Sequence, residues 1–202
     1  MNLDKSSSKL LYLQNNLIDI IWSDMKPNLP LKPLFEHELK YSGRHASSKL
    51  EDVIKYLGND KKALVASSLD DIAWVLNLRC QDSVPFNPVF YSYLFISSNR
   101  TILFVHTPQL TNNVKNYLSS LNVEISAYDN VFDVLKDINR DYDQIFTSVS
   151  VSNAIATSCN VNKVKTITSP ITMSKSVKNE TELEGAKNAY IRDGLAFVSL
   201  FN

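Results

Sequence analysis

Polar side chains that could bind a ligand gather in one stretch, between residues 79 and 87. Arg79, Gln81, Asp82 and Asn87 stand there, after a helix pattern and before the apolar run of residues 90–96. Pro85 in the stretch and Pro88 directly after it prevent another helix from following at once, because proline removes a helix hydrogen bond and clashes with the preceding turn. Loops held between buried elements often carry binding residues. The sequence therefore predicts that this loop is a functional surface.

A short helix leads into this loop. Ser68 can cap the free backbone N–H groups of its first turn, and Asp70 and Asp71 favour the positive helix end. The apolar face has helical spacing: Ile72, Val75 and Leu76. Neighbouring helix residues do not face each other, so the two aspartates are interpreted as helix-start residues and not as a catalytic carboxylate pair.

Helix and strand patterns alternate along the rest of the chain. They predict strands at 63–66, 90–96, 102–105, 123–128, 144–149 and 164–167, and helices at 10–22, 48–57, 111–121, 131–138 and 152–157. Ser48 and Glu51 have the spacing of a capping box, and Gly58 is a suitable helix stop. The polar turn at 97–100 predicts a hairpin, and three prolines between residues 24 and 33 predict an extended strap. This alternation predicts an α/β fold in which a mixed β-sheet is flanked by helices.

The last stretch of the chain predicts a long amphipathic helix. Asn179 and Glu182 have the spacing of a capping box. The helix carries a stripe of small and aromatic residues: Leu183, Ala186, Tyr190, Gly194, Phe197 and Phe201. Such a stripe needs a surface to bury against, so we expect the chain to be part of a longer protein.

Other catalytic patterns are absent from the sequence. The three histidines, His37, His45 and His106, lack metal-ligand spacing, and no serine lies in a G-x-S-x-G elbow. No glycine-rich phosphate loop is present. The two cysteines, Cys80 and Cys159, are interpreted as free thiols in a reducing compartment. We therefore predict no catalytic residue and no metal ligand in this chain.

Composition and charge narrow the class of protein. The chain has 202 residues, 44% of them hydrophobic and 21% charged, which is typical of a globular protein. Its 21 basic and 21 acidic residues cancel, so no charge excess indicates nucleic acid or an anionic membrane as a partner. No apolar run approaches the roughly 20 residues of a membrane span, and the N-terminus lacks an apolar signal core. These features predict a cytoplasmic protein.

Three ordered blocks of the sequence resemble one protein family. LDDIAWVLNLR followed by NPVFYSY, between residues 69 and 93, is similar to a signature of the long, three-domain aminopeptidase P (Xaa-Pro aminopeptidase), D-E-I-A-W-L-x-N-L-R-G … N-P-V-F-x-S-Y. Residues 18–33 resemble the I-W-x-D-R-P … K-P segment with which the family's middle domain begins, and residues 169–202 resemble the segment with which it ends. One departure lies in the first block, where Cys80 stands at the family's glycine.

The resemblance implies a domain organisation. Residues 1–33 would form an N-terminal linker helix and proline strap, and residues 34–172 a domain like the N-terminal domain of creatinase and prolidase. Residues 173–202 would be the first helix of a catalytic domain with the "pita-bread" fold, the rest of which would lie outside this chain. The chain would thus be mainly the middle domain of its parent protein.

The resemblance also implies a function for the parent protein. Members of this family are hydrolases that remove an N-terminal residue preceding proline, using two metal ions, usually manganese, held in the catalytic domain. None of the family's five metal ligands has a matching position here, so we expect no cofactor in this chain. The expected partners are proline-containing peptides and the parent's own catalytic domain, through which the parent is expected to form a homodimer.

Arg79 and Asn87 occupy the matched loop and are, on this resemblance, the predicted substrate-binding residues in the wall of the cleft. A structural clamp on nearby carbonyl groups is the alternative role for Arg79, and a turn-forming side chain is the alternative for Asn87. Cys80 leaves a question open, because cysteine in place of a glycine with positive φ would be strained. The alternative for the parent is a catalytically inactive, peptidase-like scaffold that binds protein partners.

Overall fold

A mixed β-sheet of six strands forms the centre of the computed structural model, which describes residue 13 and residues 16–201. The strands are β2 (Lys62–Ala66), β4 (Ser92–Ser97), β5 (Thr101–Val105), β6 (Val123–Ala127), β7 (Gln144–Thr147) and β8 (Val164–Thr166), and a separate pair is made by β1 (Leu34–Glu36) and β3 (Leu78–Cys80). The order in the main sheet is β6–β5–β4–β2–β7–β8. β4 is antiparallel to both its neighbours and the other pairs are parallel. The predicted mixed sheet and its β4–β5 hairpin are confirmed.

Helices cover both faces of this sheet. The helices of the described chain are α1 (Leu17–Trp22), α2 (Leu39–Ser42), α3 (Ala46–Leu57), α4 (Leu69–Val75), α5 (Asn112–Ser120), α6 (Val131–Ile138), α7 (Asn153–Ser158), α8 (Pro170–Ser176) and α9 (Glu180–Phe201), of which α1 and α9 bury no residue. Alternate residues of a strand point to opposite faces, so Leu94 joins the core under α3, α4, α5 and α8, whereas Phe95 joins the core under α6 and α7. The central strands are therefore apolar on both faces, which explains their unbroken hydrophobic runs.

The β1–β3 pair was not predicted from the sequence. Leu34 pairs with Cys80, and Phe35 pairs with Arg79, in antiparallel register. Each strand has only three residues, too few for a period-two pattern to stand out in the sequence. The pair joins the end of the proline strap to the segment that follows α4, and it places Arg79 on a strand.

Two predicted helix starts differ from the structure. α3 begins at Ala46, two residues before the predicted capping box at Ser48, with His45 as its N-cap residue. Ser68 does stand at the N-cap of α4, but its hydroxyl donates to the Asp70 carboxylate (2.7 Å) and caps no backbone N–H. The hydrogen bond from Ser68 to Asp70 thus takes the place of the expected backbone cap.

The end of α3 was predicted correctly. Gly58 ends α3 in the left-handed conformation at φ 77°, as the sequence predicted. Of the predicted helix at 10–22, residues 17–22 are helical, and residues 10–12, 14 and 15 lie outside the described part of the chain.

α9 is the longest helix and differs from the others in its exposure. It has 22 residues, and none of its described side chains is buried. Large apolar side chains along it stand in solvent, with Tyr190 at 77% and Leu200 at 79% exposure. Within the described residues, no helix combines the length and apolarity needed to cross a membrane. Among the described residues, the main contact of α9 with the rest of the fold is near its beginning, where α2 packs against it.

Candidate functional site

The guanidinium of Arg79 contacts backbone carbonyl groups next to the loop of residues 79–87 that the sequence predicts to be functional. Its Nη1 donates to the carbonyl oxygens of Ala73 (2.6 Å) and Leu78 (2.9 Å). Burial lowers the pKa of the guanidinium, and the Glu182 carboxylate opposes that change. Its Nε and Nη2 atoms form no hydrogen bond with the described residues. Arg79 therefore clamps the end of α4 to β3 and keeps one donor edge for a further partner.

Asn87 lies at the far end of the loop, with its side chain exposed. Its backbone N–H donates to the carbonyl of Val84 (3.2 Å), and its own carbonyl accepts from Val89 (2.8 Å). The loop closes where the N–H of Cys80 donates to the carbonyl of Pro88 (3.1 Å). The structure brings the two ends of the loop together, but the side chains of Arg79 and Asn87 do not hydrogen-bond to each other.

Phe86 is a feature of this loop that the sequence analysis missed. Its ring is fully exposed (107%), and its backbone has a positive φ of 62°. A left-handed conformation costs a non-glycine residue about 1–2 kcal/mol. The loop therefore holds the backbone of Phe86 in a conformation that phenylalanine disfavours. The local sequence carries no signal for this conformation, since phenylalanine is not a residue that favours positive φ.

Cys80 is accommodated without backbone strain. It is a strand residue outside the set with positive φ, which answers the question raised by the missing glycine. Its buried Sγ lies 2.8 Å from Ser83 Oγ and 3.2 Å from the carbonyl oxygen of Lys32. Gln109 Nε2 donates to that same carbonyl (2.9 Å), and Ser83 donates to the carbonyl of Pro30 (2.8 Å). This buried polar cluster fastens the proline strap to the base of the loop.

Lys49 is buried in the same region and was also missed. Its side chain is 2% exposed, and Nζ donates to the carbonyl of Trp74 (3.0 Å) and to Oδ1 of Asn77 (2.7 Å). The ammonium also lies 3.9 Å from the centre of the Trp74 ring, a cation–π distance. A signal was available in the sequence, because Lys49 stands four and eight residues before two buried α3 residues, Val53 and Leu57.

Burial lowers the pKa of Lys49 to about 8; Glu182 opposes this change, and Arg79 and Arg44 add to it. Between pH 8 and 10.5 the folded chain releases a proton that the unfolded chain still holds, so this group makes the protein more stable as the pH rises. We expect the unfolding free energy of the wild type, minus that of Lys49→Met, to rise by on the order of 2 kcal/mol across this window. Urea unfolding at several pH values measures it.

Other groups that titrate in this pH window contribute equally to the unfolding free energies of wild type and variant, so their contributions cancel in the difference. Burial raises the pKa of the Cys159 thiol to about 12, which lowers stability with rising pH in wild type and variant alike. Lys55→Met, at an exposed position of the same helix, is the control for the loss of a lysine that makes none of these buried contacts. A constant difference for Lys49→Met would contradict the assignment.

The beginning of α9 is fixed to the domain at what we call the α9 junction, formed by Ser42, Gly43, Trp74, Asn179 and Glu182. Asn179 Oδ1 accepts from the N–H of Glu182 (2.9 Å), and the Asn179 N–H donates to Glu182 Oε2 (3.0 Å), which confirms the predicted capping box. Asn179 Nδ2 donates to the carbonyl of Ser42 (2.9 Å), and Trp74 Nε1 donates to Glu182 Oε1 (2.8 Å).

A groove of about 820 Å³ lies next to the junction, between residues 37–41 and the first turns of α9. Three carboxylates line it, those of Glu180, Glu182 and Glu184, together with the ring of His37. Burial lowers the pKa of His37, and the nearby cations Arg79 and Lys49 lower it further. The groove therefore combines three carboxylates and two cations, Lys40 and Arg192, with a histidine that tends to stay neutral.

Asp70 and Asp71 tie two helices together. The Asp71 carboxylate is 2% exposed, accepts from Thr172 Oγ1 (2.5 Å) and lies 2.7 Å from Lys175 Nζ. Asp70 pairs with the same lysine at the surface. Burial alone would raise the pKa of Asp70, but hydrogen bonds from Lys175 and Ser68 bring it below its ordinary value. The pair joins α4 to α8, in keeping with its structural interpretation.

The described residues, 13 and 16–201, contain no group of three histidine, cysteine, aspartate or glutamate side chains that could hold a metal ion. His37 stacks on Tyr41 with ring centres 5.8 Å apart, and His106 stacks on Tyr128 at 4.5 Å.

The structure is thus an α/β domain with a polar loop at residues 79–87 and a fixed α9 junction. This chain belongs to the creatinase/prolidase N-terminal domain family, whose profile matches residues 25–182.

Relatives of this chain include long peptidases. It is 39% identical over 198 residues to an uncharacterised peptidase of Schizosaccharomyces pombe, covering 98% of this chain and 32% of that protein. It is 37% identical to a probable Xaa-Pro aminopeptidase P of Sordaria macrospora, covering 96% and 33%. The X-prolyl aminopeptidase of Caenorhabditis elegans, described as a cytosolic enzyme with a di-nuclear active site, superposes with a TM-score of 0.87 at 26% identity, covering 94% and 32%. The chain thus spans about a third of the length of these relatives.

Proposed function

We propose that this chain is the non-catalytic middle domain of a cytosolic metallopeptidase that removes the N-terminal residue preceding proline, and that it forms a wall of the substrate cleft. The observation that carries the proposal is the superposition on the C. elegans X-prolyl aminopeptidase along nearly the whole of this chain. The fungal relatives named Xaa-Pro aminopeptidase P support the same substrate class.

The proposed domain organisation gives α9 its role. In it, residues 1–33 are a linker and strap, residues 34–172 the creatinase/prolidase-like domain, and residues 173–202 the first part of the catalytic domain. The exposed apolar side chains of α9 support this division, because an amphipathic helix gains stability by burying its apolar face. The two manganese ions and the contacts of a parent homodimer belong, in this proposal, to that catalytic domain.

Arg79 and Asn87 are the proposed cleft-facing residues. The donor edge that Arg79 keeps beyond its two carbonyl contacts suits a carboxylate, either of a peptide or of the catalytic domain. The exposed amide of Asn87 can donate to and accept from a peptide backbone. The clamp and the turn described above hold the two residues in place for this task.

The test compares the natural polypeptide that contains this chain with the 202-residue chain alone. We expect the natural polypeptide to release the first residue of Xaa-Pro peptides in the presence of manganese, and the 202-residue chain to release none. In the natural polypeptide, Arg79→Lys should lower kcat/KM about ten-fold, because lysine cannot reproduce the fork of a guanidinium. Liquid chromatography of the released amino acid measures both effects.

Arg140→Lys is the matched control, since Arg140 is exposed, and it should leave kcat/KM unchanged. Turnover by the pure 202-residue chain would contradict the non-catalytic assignment. A natural polypeptide that cleaves no Xaa-Pro peptide would favour the inactive scaffold. Equal kinetics for Arg79→Lys and wild type would mean that Arg79 has only its structural role as a clamp.

A further inference from the structure

One carboxylate serves two elements at the α9 junction. Glu182 Oε2 accepts from the backbone N–H of Asn179 and closes the first turn of α9, while Glu182 Oε1 accepts from the indole of Trp74 in α4. One side chain thus makes both the contact that closes the first turn of α9 and the contact that docks α9 on the domain. The two contacts therefore depend on each other. Hydrogen bonds to a charged group contribute about 1.5–3 kcal/mol, more than most surface contacts.

The contacts continue from Trp74 into the domain. The ammonium of Lys49 lies against the Trp74 ring and donates to the Trp74 carbonyl, and it also donates to the side chain of Asn77. Lys49 is buried, and no carboxylate pairs with it among the described residues. The position of this ammonium is therefore set by Trp74 and Asn77 together.

Asn77 is the last member of this chain of contacts and adjoins the strand that carries Arg79. Its backbone is left-handed, with φ at 49°, and its side chain also donates to the carbonyl of Arg44 (2.8 Å). The carbonyl of Asn77 accepts from the N–H of His37 (2.7 Å), beside β1. Moving the Asn77 side chain would thus disturb the turn from which Arg79 projects two residues later.

We propose that Glu182, Trp74, Lys49 and Asn77 form a relay that couples the docking of α9 to the position of Arg79. Residues of the relay are positioning residues: they touch no substrate and act through the guanidinium. Their importance for catalysis rests on the proposed function, in which α9 leads into the catalytic domain, whereas the coupling itself is a property of this chain.

Hydrogen exchange measured by mass spectrometry on the 202-residue chain tests the coupling. Glu182→Ala removes the shared acceptor, and we expect the amides of residues 78–80 as well as those of residues 180–184 to exchange about ten-fold faster. Glu182→Gln keeps one acceptor oxygen and places an NH2 donor at the other contact, so it should restore only part of the protection. Faster exchange at residues 180–184 alone would reduce Glu182 to a helix cap and overturn the relay.

Two further variants separate the relay from a general loss of stability. Glu184 is exposed on the same helix, and Glu184→Ala should change neither segment. Trp74→Phe removes the indole donor and keeps an aromatic ring. Its effect on residues 78–80 should add little to that of Glu182→Ala in the double variant, because both break one path. Fully additive effects would contradict the proposal.

Kinetics of the natural polypeptide show whether the coupling matters for the reaction. Glu182→Ala should lower kcat/KM for Xaa-Pro peptides several-fold, and Glu182→Gln, which keeps one acceptor oxygen, should recover part of that loss. A polypeptide without peptidase activity would defeat the proposed function, while the exchange experiment would still decide the relay. Coupled exchange with unchanged kinetics would show that the relay does not position Arg79 for catalysis.

Discussion

Replacing Gly43 by alanine is expected to undock the first turn of α9 and to lower the free energy of unfolding by about 3 kcal/mol. Gly43 has a φ of 65°, which alanine tolerates poorly. A Cβ there would also lie 2.7 Å from the Cβ of Thr181 and closer still to Asn179 Oδ1, so α9 itself must move. Movement of α9 would stretch the bonds from Asn179 to Ser42 and from Trp74 to Glu182.

Gly58 offers a matched control for this prediction. It is also left-handed, at φ 77°, but a Cβ there would meet nothing closer than a carbonyl oxygen at 4.0 Å. Gly58→Ala should therefore show only the backbone cost, about 1–2 kcal/mol, and normal exchange in α9. Urea unfolding gives the free energies, and hydrogen exchange of residues 179–184 reports on docking. Equal effects of the two substitutions would show that the close approach at Gly43 is unimportant.

Replacing Asp71 by alanine is expected to cost about 3 kcal/mol of unfolding free energy. The substitution removes a buried carboxylate and leaves Lys175 with a single partner, while Thr172 loses its acceptor. Because these two residues belong to α8, the loss should be felt where α8 packs on α4. Urea unfolding measures the change.

Asp70→Ala is the matched control, because this carboxylate faces the same lysine from the surface. Exposed ion pairs contribute little, so the control should cost less than about 1 kcal/mol. A double-mutant cycle with Lys175→Ala should give a coupling energy for Asp71 that is clearly larger than for Asp70. Similar values for the two aspartates would mean that burial does not decide their contribution.

Local sequence signals succeeded where neighbours along the chain decide the outcome. The strand at residues 63–66, the hairpin of β4 and β5, the left-handed Gly58 and the capping box of α9 were all predicted and are all observed. A capping box needs only two side chains three residues apart, and a hairpin needs only two apolar runs and a polar turn. The family blocks between residues 18 and 202 were also visible in the sequence, and the family is confirmed.

The same signals failed where residues distant in sequence meet. β1 and β3 stand more than 40 positions apart, and each gains its strand conformation from the other. Lys49 and Trp74 are 25 positions apart, and Trp74 and Glu182 are 108 apart. The polar cluster of Cys80 joins Lys32 and Gln109, which no local pattern connects.

The sequence alone determined the class of the fold and the family, and Arg79 and Asn87 stay its predictions for the site. Hydrophobic patterns and motif spacing are properties of the chain, and they are enough to predict the longer helices and strands and their order. The tertiary structure alone decided what Arg79 holds, why Cys80 is unstrained and how α9 is joined to the domain. Those answers depend on burial, because a cation or a thiol buried away from water must find its partners across the fold.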